Sequence, residues 1–351
     1  MKITDAGRAL WAGFDGATVN EHVRELLKLG AGGFILFSRN IESPEQTAEL
    51  IAEIRALAPD RRLLFSVDQE GGRVARLREP CTVWPTMRTL GNAGDEQLAR
   101  SFGAAVGAEL RAIGFDLDFA PVVDVDTNPA NPVIGDRSFG RTPDLVSRLG
   151  AAVIDGLQRA GVWACAKHFP GHGDTDLDSH LALPTVSHDR RHWDEIELPP
   201  FRAAVRASVA SIMTAHIIVQ TIDPDRPAAM SPRVLAILRQ ELGFEGVIVS
   251  DDLEMKAISA NFSLSEAAVK AASAGVDALL CCHDLARQEE IVRALYDAHS
   301  SGALPPLRLH EMRARVEQTA NRFPPAGRGD LSILGREEHR QLSETIARRG
   351  G

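Results

Sequence analysis

The chain has 351 residues, 44% of them hydrophobic, and a formal charge of −9 with no long basic run. It can therefore build a full core in one large domain or two modest ones, and nucleic acid is excluded as a natural partner. The N-terminal MKITDAGRALWAGFDG lacks an apolar signal core, no window approaches the length of a membrane span, and the four cysteines, two of them adjacent, read as buried thiols. A cytoplasmic globular protein, bound to neither membrane nor nucleic acid, is expected.

In chain order, short apolar runs occupy 10–14, 33–37 (GFILF), 63–67 (LLFSV), 117–123 (LDFAPVV), 162–166 (VWACA), 211–215 (SIMTA), 247–249 (VIV) and 276–281 (VDALLC). They are rich in β-formers, apolar on both faces and bounded by Gly, Asp or Pro, as strands of a covered parallel sheet should be. The stretches between them read as amphipathic helices. Ser43-Pro44 with Gln46 supplies an N-cap, a first-turn proline and a capping box, and Leu50, Ile51, Ile54 and Leu57 then share a face. Thr142-Pro143 and Ser231-Pro232 repeat the cap-plus-proline start. Leu98, Phe102, Val106, Leu110 and Ile113 form a further stripe.

Eight alternating strand and helix units fit a (β/α)8 TIM-type barrel better than a doubly wound sheet, and no dinucleotide fingerprint follows the first strand. No internal linker stands out. Residues 1–325 are expected to form the barrel, with 326–351 a polar C-terminal extension and no second α/β domain.

The chemistry-bearing residues fall just after the apolar runs. Val67 leads into Asp68-Gln69-Glu70-Gly71-Gly72-Arg73, Val123 into Asp124 and Asp126, Ala166 into Lys167-His168, and Val249 into Ser250-Asp251-Asp252. In a barrel all these positions converge on one mouth. Ala215 likewise precedes His216. Any one alone would be a surface charge or a helix cap; five in the same register are a site. Asp, Arg, Lys and His without a nucleotide loop suit a polyhydroxylated ligand, whose hydroxyls need donors and acceptors.

The stretch KHFPGHGDTDLDSH, 167–180, is the most crowded with titratable groups, and Pro170, Gly171 and Gly173 mark it as a loop. Its glycines and lack of apolar anchors predict mobility. His168 and His172 are four apart, but the intervening Pro-Gly denies them a metal-binding helix, no His-x-His pair occurs, and no G-x-S-x-G elbow is present. Neither metal nor cofactor is expected. What remains is a strand-end carboxylate nucleophile, Asp251, with a separate proton donor, for which His180, oriented by Asp178, is the candidate.

The set KHFPGHG-x4-DSH, with upstream DQEGGRV and GDRSFG and downstream SDDLEM, resembles glycoside hydrolase family 3. Within it the chain is similar to the single-domain bacterial β-N-acetylglucosaminidases (β-hexosaminidases) of cell-wall recycling, in order from about Ala12 to His283. The resemblance implies a (β/α)8 barrel and a retaining, cofactor-free removal of terminal β-linked N-acetylglucosamine from muropeptide fragments. It implies Asp251 as nucleophile, His180 as acid/base paired with Asp178, and sugar binding by Asp68, Arg137, Lys167 and His168. Arg73 and Met255 join them as substrate-binding candidates, Met255 weighed against a plain core role. His172 is expected to brace the loop, His216 to brace the pocket, Asp174 and Asp176 to be solvated, and Asp252 to cap the next helix or hold Lys167. A monomer with a small-molecule sugar as its partner is expected. A phosphorylase using the same glycosyl-enzyme, and an inactive sugar sensor on the same barrel, are the alternatives.

Overall fold

The computed structural model describes residues 2–175, 178–179 and 183–351. All eight apolar runs form strands: β1 (Leu10–Ala12), β2 (Gly33–Leu36), β3 (Leu64–Val67), β4 (Leu117–Asp118), β5 (Trp163–Phe169), β6 (Ser211–Thr214), β7 (Val247–Ser250) and β8 (Leu279–Cys281). They pair in parallel in the order β7-β6-β5-β4-β3-β2-β1-β8. A parallel bridge from Val249 to Ala278 brings the two outer strands together, so the sheet is a nearly closed barrel.

A helix follows each strand: α1 (Glu21–Leu29), α2 (Pro44–Ala56), α3 (Glu96–Ile113), α4 (Pro143–Arg159), α5 (Leu198–Arg206), α6 (Pro232–Ala236), α7 (Leu264–Ala274) and α8 (Leu285–Ser301). The caps act locally. Ser43 Oγ accepts from the Gln46 N–H at 3.1 Å, while Gln46 Oε1 accepts from the Glu42 N–H at 3.0 Å. Ser231 caps α6, but Thr142 makes no side-chain cap, so α4 begins on Pro143 alone. Helices α3 and α4 approach closely because a Cβ at Gly103 would stand 2.4 Å from the Val153 carbonyl oxygen.

Two strands depart from the expected limits. β4 ends at Asp118, five residues early; Pro121 has no N–H to give, although the Ala120 and Pro121 carbonyls still accept from the N–H groups of Cys165 and Lys167 at 2.8 and 3.2 Å, and a Val122–Lys167 bridge follows. β5 runs three residues further, to Phe169, so Lys167 and His168 stand on a strand rather than in a loop. That gives both side chains a rigid base.

Inside the barrel Trp11, Trp163, Cys165, Met213 and Leu280 pack together, Met213 and Leu280 reaching the cavity at the mouth. Helix α9 (Arg308–Ala320) leads to Phe323, whose ring stands 5.8 Å from Trp163 and closes the end away from the mouth. Helix α10 (Glu337–Gly350) lies along the barrel flank. His339 Nδ1 is 2.8 Å from Glu109 Oε1, and Asn92 Nδ2 donates to the Gly350 carbonyl at 2.9 Å. Among the described residues, no helix is long and apolar enough to cross a membrane.

Candidate active site

Parallel strands place all their C-terminal ends at one mouth. A cavity of about 310 Å³ opens there, lined by Asp68, Arg73, Arg137, Lys167, His168, Asp178, Asp251 and Met255 among others. These are all the site residues selected from sequence except His180, which lies outside the described residues.

The floor is a charge cluster. Lys167, on β5, puts Nζ 2.9 Å from Asp68 Oδ1 and 2.6 Å from Glu70 Oε1. Glu70 also takes both arms of Arg137, with Nε and a terminal nitrogen each donating at 2.8 Å. Arg76 reaches Asp68 Oδ2 at 3.2 Å. Burial pushes the Glu70 carboxyl up, but Arg137 and Lys167 outweigh it and hold it well below the usual carboxylate range. Burial alone would lower Lys167, yet Asp68 and Glu70 raise it, so the ammonium is fixed in its charged form. Beneath them Asp118 accepts from the Gln69 N–H at 2.9 Å and fixes the start of the DQEGGR turn. Burial pushes its carboxyl up to about 8, against the pull of that N–H and of Lys167.

A second anchor is Asp124, fully buried between β4 and β5. It accepts from the N–H groups of His168 and His172, and its Oδ2 is 2.7 Å from His168 Nδ1, which aims that imidazole. His172 then braces the loop, through its side chain and not only its backbone. Its Nδ1 meets Thr175 Oγ1 at 2.7 Å and its Nε2 meets Ser179 Oγ at 3.0 Å. Burial, with the nearby His168 charge, lowers its pKa to about 4, so the bridge is neutral. The loop, expected to lack apolar anchors, thus has polar ones at 171–175 and 178–179. The Ser179 carbonyl also accepts from the Ala257 N–H at 3.2 Å.

Asp251 directly follows β7, and its Oδ1 accepts from the Asp252 N–H at 2.8 Å. Asp252 does not hold Lys167, whose ion pairs go to Asp68 and Glu70. Instead its Oδ1 accepts from the Glu254 N–H at 3.0 Å, and burial raises its carboxyl to about 7. His216, buried, donates to the Asp252 carbonyl at 3.0 Å. Arg73 stands half-exposed at the rim, its guanidinium shared by Asp136 at 2.9 Å and the Val133 carbonyl at 2.6 Å. Opposite, Phe37 and His283 stack with ring centroids 5.9 Å apart. Asp174, expected to be solvated, is hydrogen-bonded to His188 instead.

The arrangement offers a carboxylate on a rigid strand end, a loop carrying Asp178 facing the same cavity, and a floor of charged donors and acceptors shaped for hydroxyls. The "Glycosyl hydrolase family 3 N terminal domain" matches residues 8–319. A beta-hexosaminidase of Nitrosomonas eutropha is 41% identical over 319 residues, covering 89% of this chain and 90% of its own. One from Pseudomonas aeruginosa is 43% identical over 289 residues, 81% of this chain and 84% of its own. Among solved structures, NagZ from Neisseria gonorrhoeae in complex with N-trifluoroacetyl-D-glucosamine superposes with TM-score 0.82 at 33% identity, covering 98% of both chains. The chain belongs to glycosyl hydrolase family 3, as a glycoside hydrolase of its β-N-acetylhexosaminidase branch.

Proposed function

We propose that the protein is a retaining exo-β-N-acetylglucosaminidase that removes terminal N-acetylglucosamine from peptidoglycan fragments. The observation that carries this reading is the placement of Asp251, a strand-end carboxylate, in the same cavity as Asp178 and the Lys167–Asp68–Glu70–Arg137 floor. In the first step an Asp251 oxygen bonds to the anomeric carbon as the glycosidic C–O bond breaks, and the leaving oxygen takes a proton from His180. In the second, His180 removes a proton from water, which attacks the same carbon and releases Asp251. His180 enters on the family resemblance, Asp178 two residues before it serving to orient its ring. Asp68, Lys167, Arg137 and His168 hold the terminal sugar, with Arg73 and Met255 at its edge.

The cell-wall assignment draws support from the similarity to NagZ, and it carries a cytoplasmic monomer with it. A chromogenic β-N-acetylglucosaminide and a muropeptide carrying terminal N-acetylglucosamine, assayed side by side, test the two levels. Release from both supports the reading; release from the chromogenic sugar alone removes the peptidoglycan substrate, and release from neither removes the activity.

A further inference from the structure

Behind the donor loop, and outside the sugar cavity, Asp174, His188, His192 and Glu197 come together. His188 and His192 are spaced i, i+4, a spacing of zinc-binding histidine pairs on helical turns. Here, unlike at His168 and His172, the chain between them begins a helix. Asp189 caps the short helix Arg190–His192 by accepting from the His192 N–H at 2.9 Å. The His188 carbonyl accepts from Trp193 Nε1 at 3.1 Å and Thr221 Oγ1 at 2.6 Å, so the backbone carrying both rings is pinned. The two imidazoles stack with centroids 3.6 Å apart and planes 16° from parallel. One ligand atom from each of Asp174, His188 and His192 lies within 4.8 Å of the others.

Glu197 is an independent pointer. It is 2% exposed, its Oε1 stands 3.4 Å from His192 Nε2, and neither its two carboxylate oxygens nor that ring nitrogen has a hydrogen-bond partner among the described residues. Its other oxygen presses on Gly171, where a Cβ would come within 2.2 Å. A buried carboxylate left so is costly unless a positive charge stands near. An outer carboxylate against an imidazole is also the arrangement that orients metal-ligating histidines.

The geometry points to a divalent-cation site of zinc type, with Asp174, His188 and His192 as ligands and Glu197 supporting His192. Two imidazoles and a carboxylate favour zinc over magnesium or calcium. The three ligand side chains are each about a quarter exposed, which leaves the ion a route in. One ring turns about its side-chain bond to bring both lone pairs onto the metal. The bound ion fastens Asp174, in the first half of the donor loop, to the helix on the other side, four residues before Asp178. It is a strap on the loop and takes no part in bond cleavage, so the inference does not depend on the reaction proposed above.

The test is calorimetric titration of the chelator-treated protein with zinc chloride. One equivalent should bind with Kd below about 10 µM. His192→Ala and Glu197→Gln should each weaken binding about tenfold or more, as loss of a ligand or its outer partner does. Asp251→Asn should bind as the unaltered protein does, which separates this site from zinc captured in the sugar cavity. Crystals soaked in zinc give a readout that needs no variant: an anomalous peak between Asp174, His188 and His192. Absence of binding, binding unchanged by His192→Ala in a protein that keeps its circular dichroism, or a peak only in the sugar cavity would overturn the site.

Discussion

Lys167 Nζ stands 2.6 Å from Glu70 Oε1, and the same carboxylate takes the two-armed grip of Arg137. All three groups are nearly or fully buried, so the cluster is held by mutual neutralisation. Removing its one shared anion would leave two cations facing each other in a low-dielectric site. Glu70→Gln should therefore cost about 3 kcal/mol of stability in urea unfolding, as breaking buried ion pairs does. A loss below about 1 kcal/mol would mean that water reaches the cluster and screens it.

Asp251 contributes charge and no core area, and its removal should separate chemistry from folding. Asp251→Ala should lower kcat at least about 10³-fold, with the thermal midpoint within about 2 °C of the parent. Near-parental turnover, with Asp252→Ala inactive instead, would move the nucleophile by one residue.

His172 makes a pH-dependent contribution whose sign is fixed by burial. Its pKa falls to about 4 in the folded protein, below the ordinary value near 6.5. Between these values the unfolded chain holds a proton that the folded chain does not. Stability from this residue is therefore complete above about pH 6.5 and is lost as the pH falls toward 4, by at most about 1.4 kcal/mol per pH unit. The gap between parent and His172→Gln, from urea unfolding at several pH values, should narrow as the pH falls across that window. A constant gap would contradict a neutral His172 bridging Thr175 and Ser179.

Asp118 behaves in the opposite sense. Its carboxyl is raised to about 8, so the folded protein keeps a proton that the unfolded chain releases near pH 4. Its contribution is fully present below pH 4 and declines as the pH rises to about 8. Asp118→Asn keeps the oxygen that accepts from Gln69 and has no charge to form, so it should gain on the parent steadily through that range. Parallel stability curves would show that Asp118 is ionised in the fold.

The barrel was legible because each strand is an apolar run bounded by breakers, and each helix carries its own stripe or cap. Strand limits were less so. β5 ends three residues beyond the run and so takes in Lys167 and His168, since its pairing depends on the neighbour and not on local hydrophobicity. The mouth was legible through register: Asp68 and Asp251 each follow a strand. Glu70 and Asp124 were harder, as their partners lie 67 and 44 positions away and meet them only through strand adjacency. His188 and His192 had a local signal in their spacing, but its significance rests on Asp174 and Glu197, which the fold brings up from either side.

The central claim is a glycosyl intermediate on Asp251 whose formation and breakdown both use His180. His180→Ala with a dinitrophenyl β-N-acetylglucosaminide tests it most directly, since that leaving group needs little acid help while the following hydrolysis still needs a base. Intact-protein and peptide mass spectrometry should find one N-acetylglucosaminyl group accumulating on the peptide containing Asp251. Added azide should discharge it as the β-glycosyl azide and restore turnover. A poor leaving group should give neither adduct nor turnover. Equal losses on both substrates, with no adduct at Asp251 and no rescue by azide, would contradict the account.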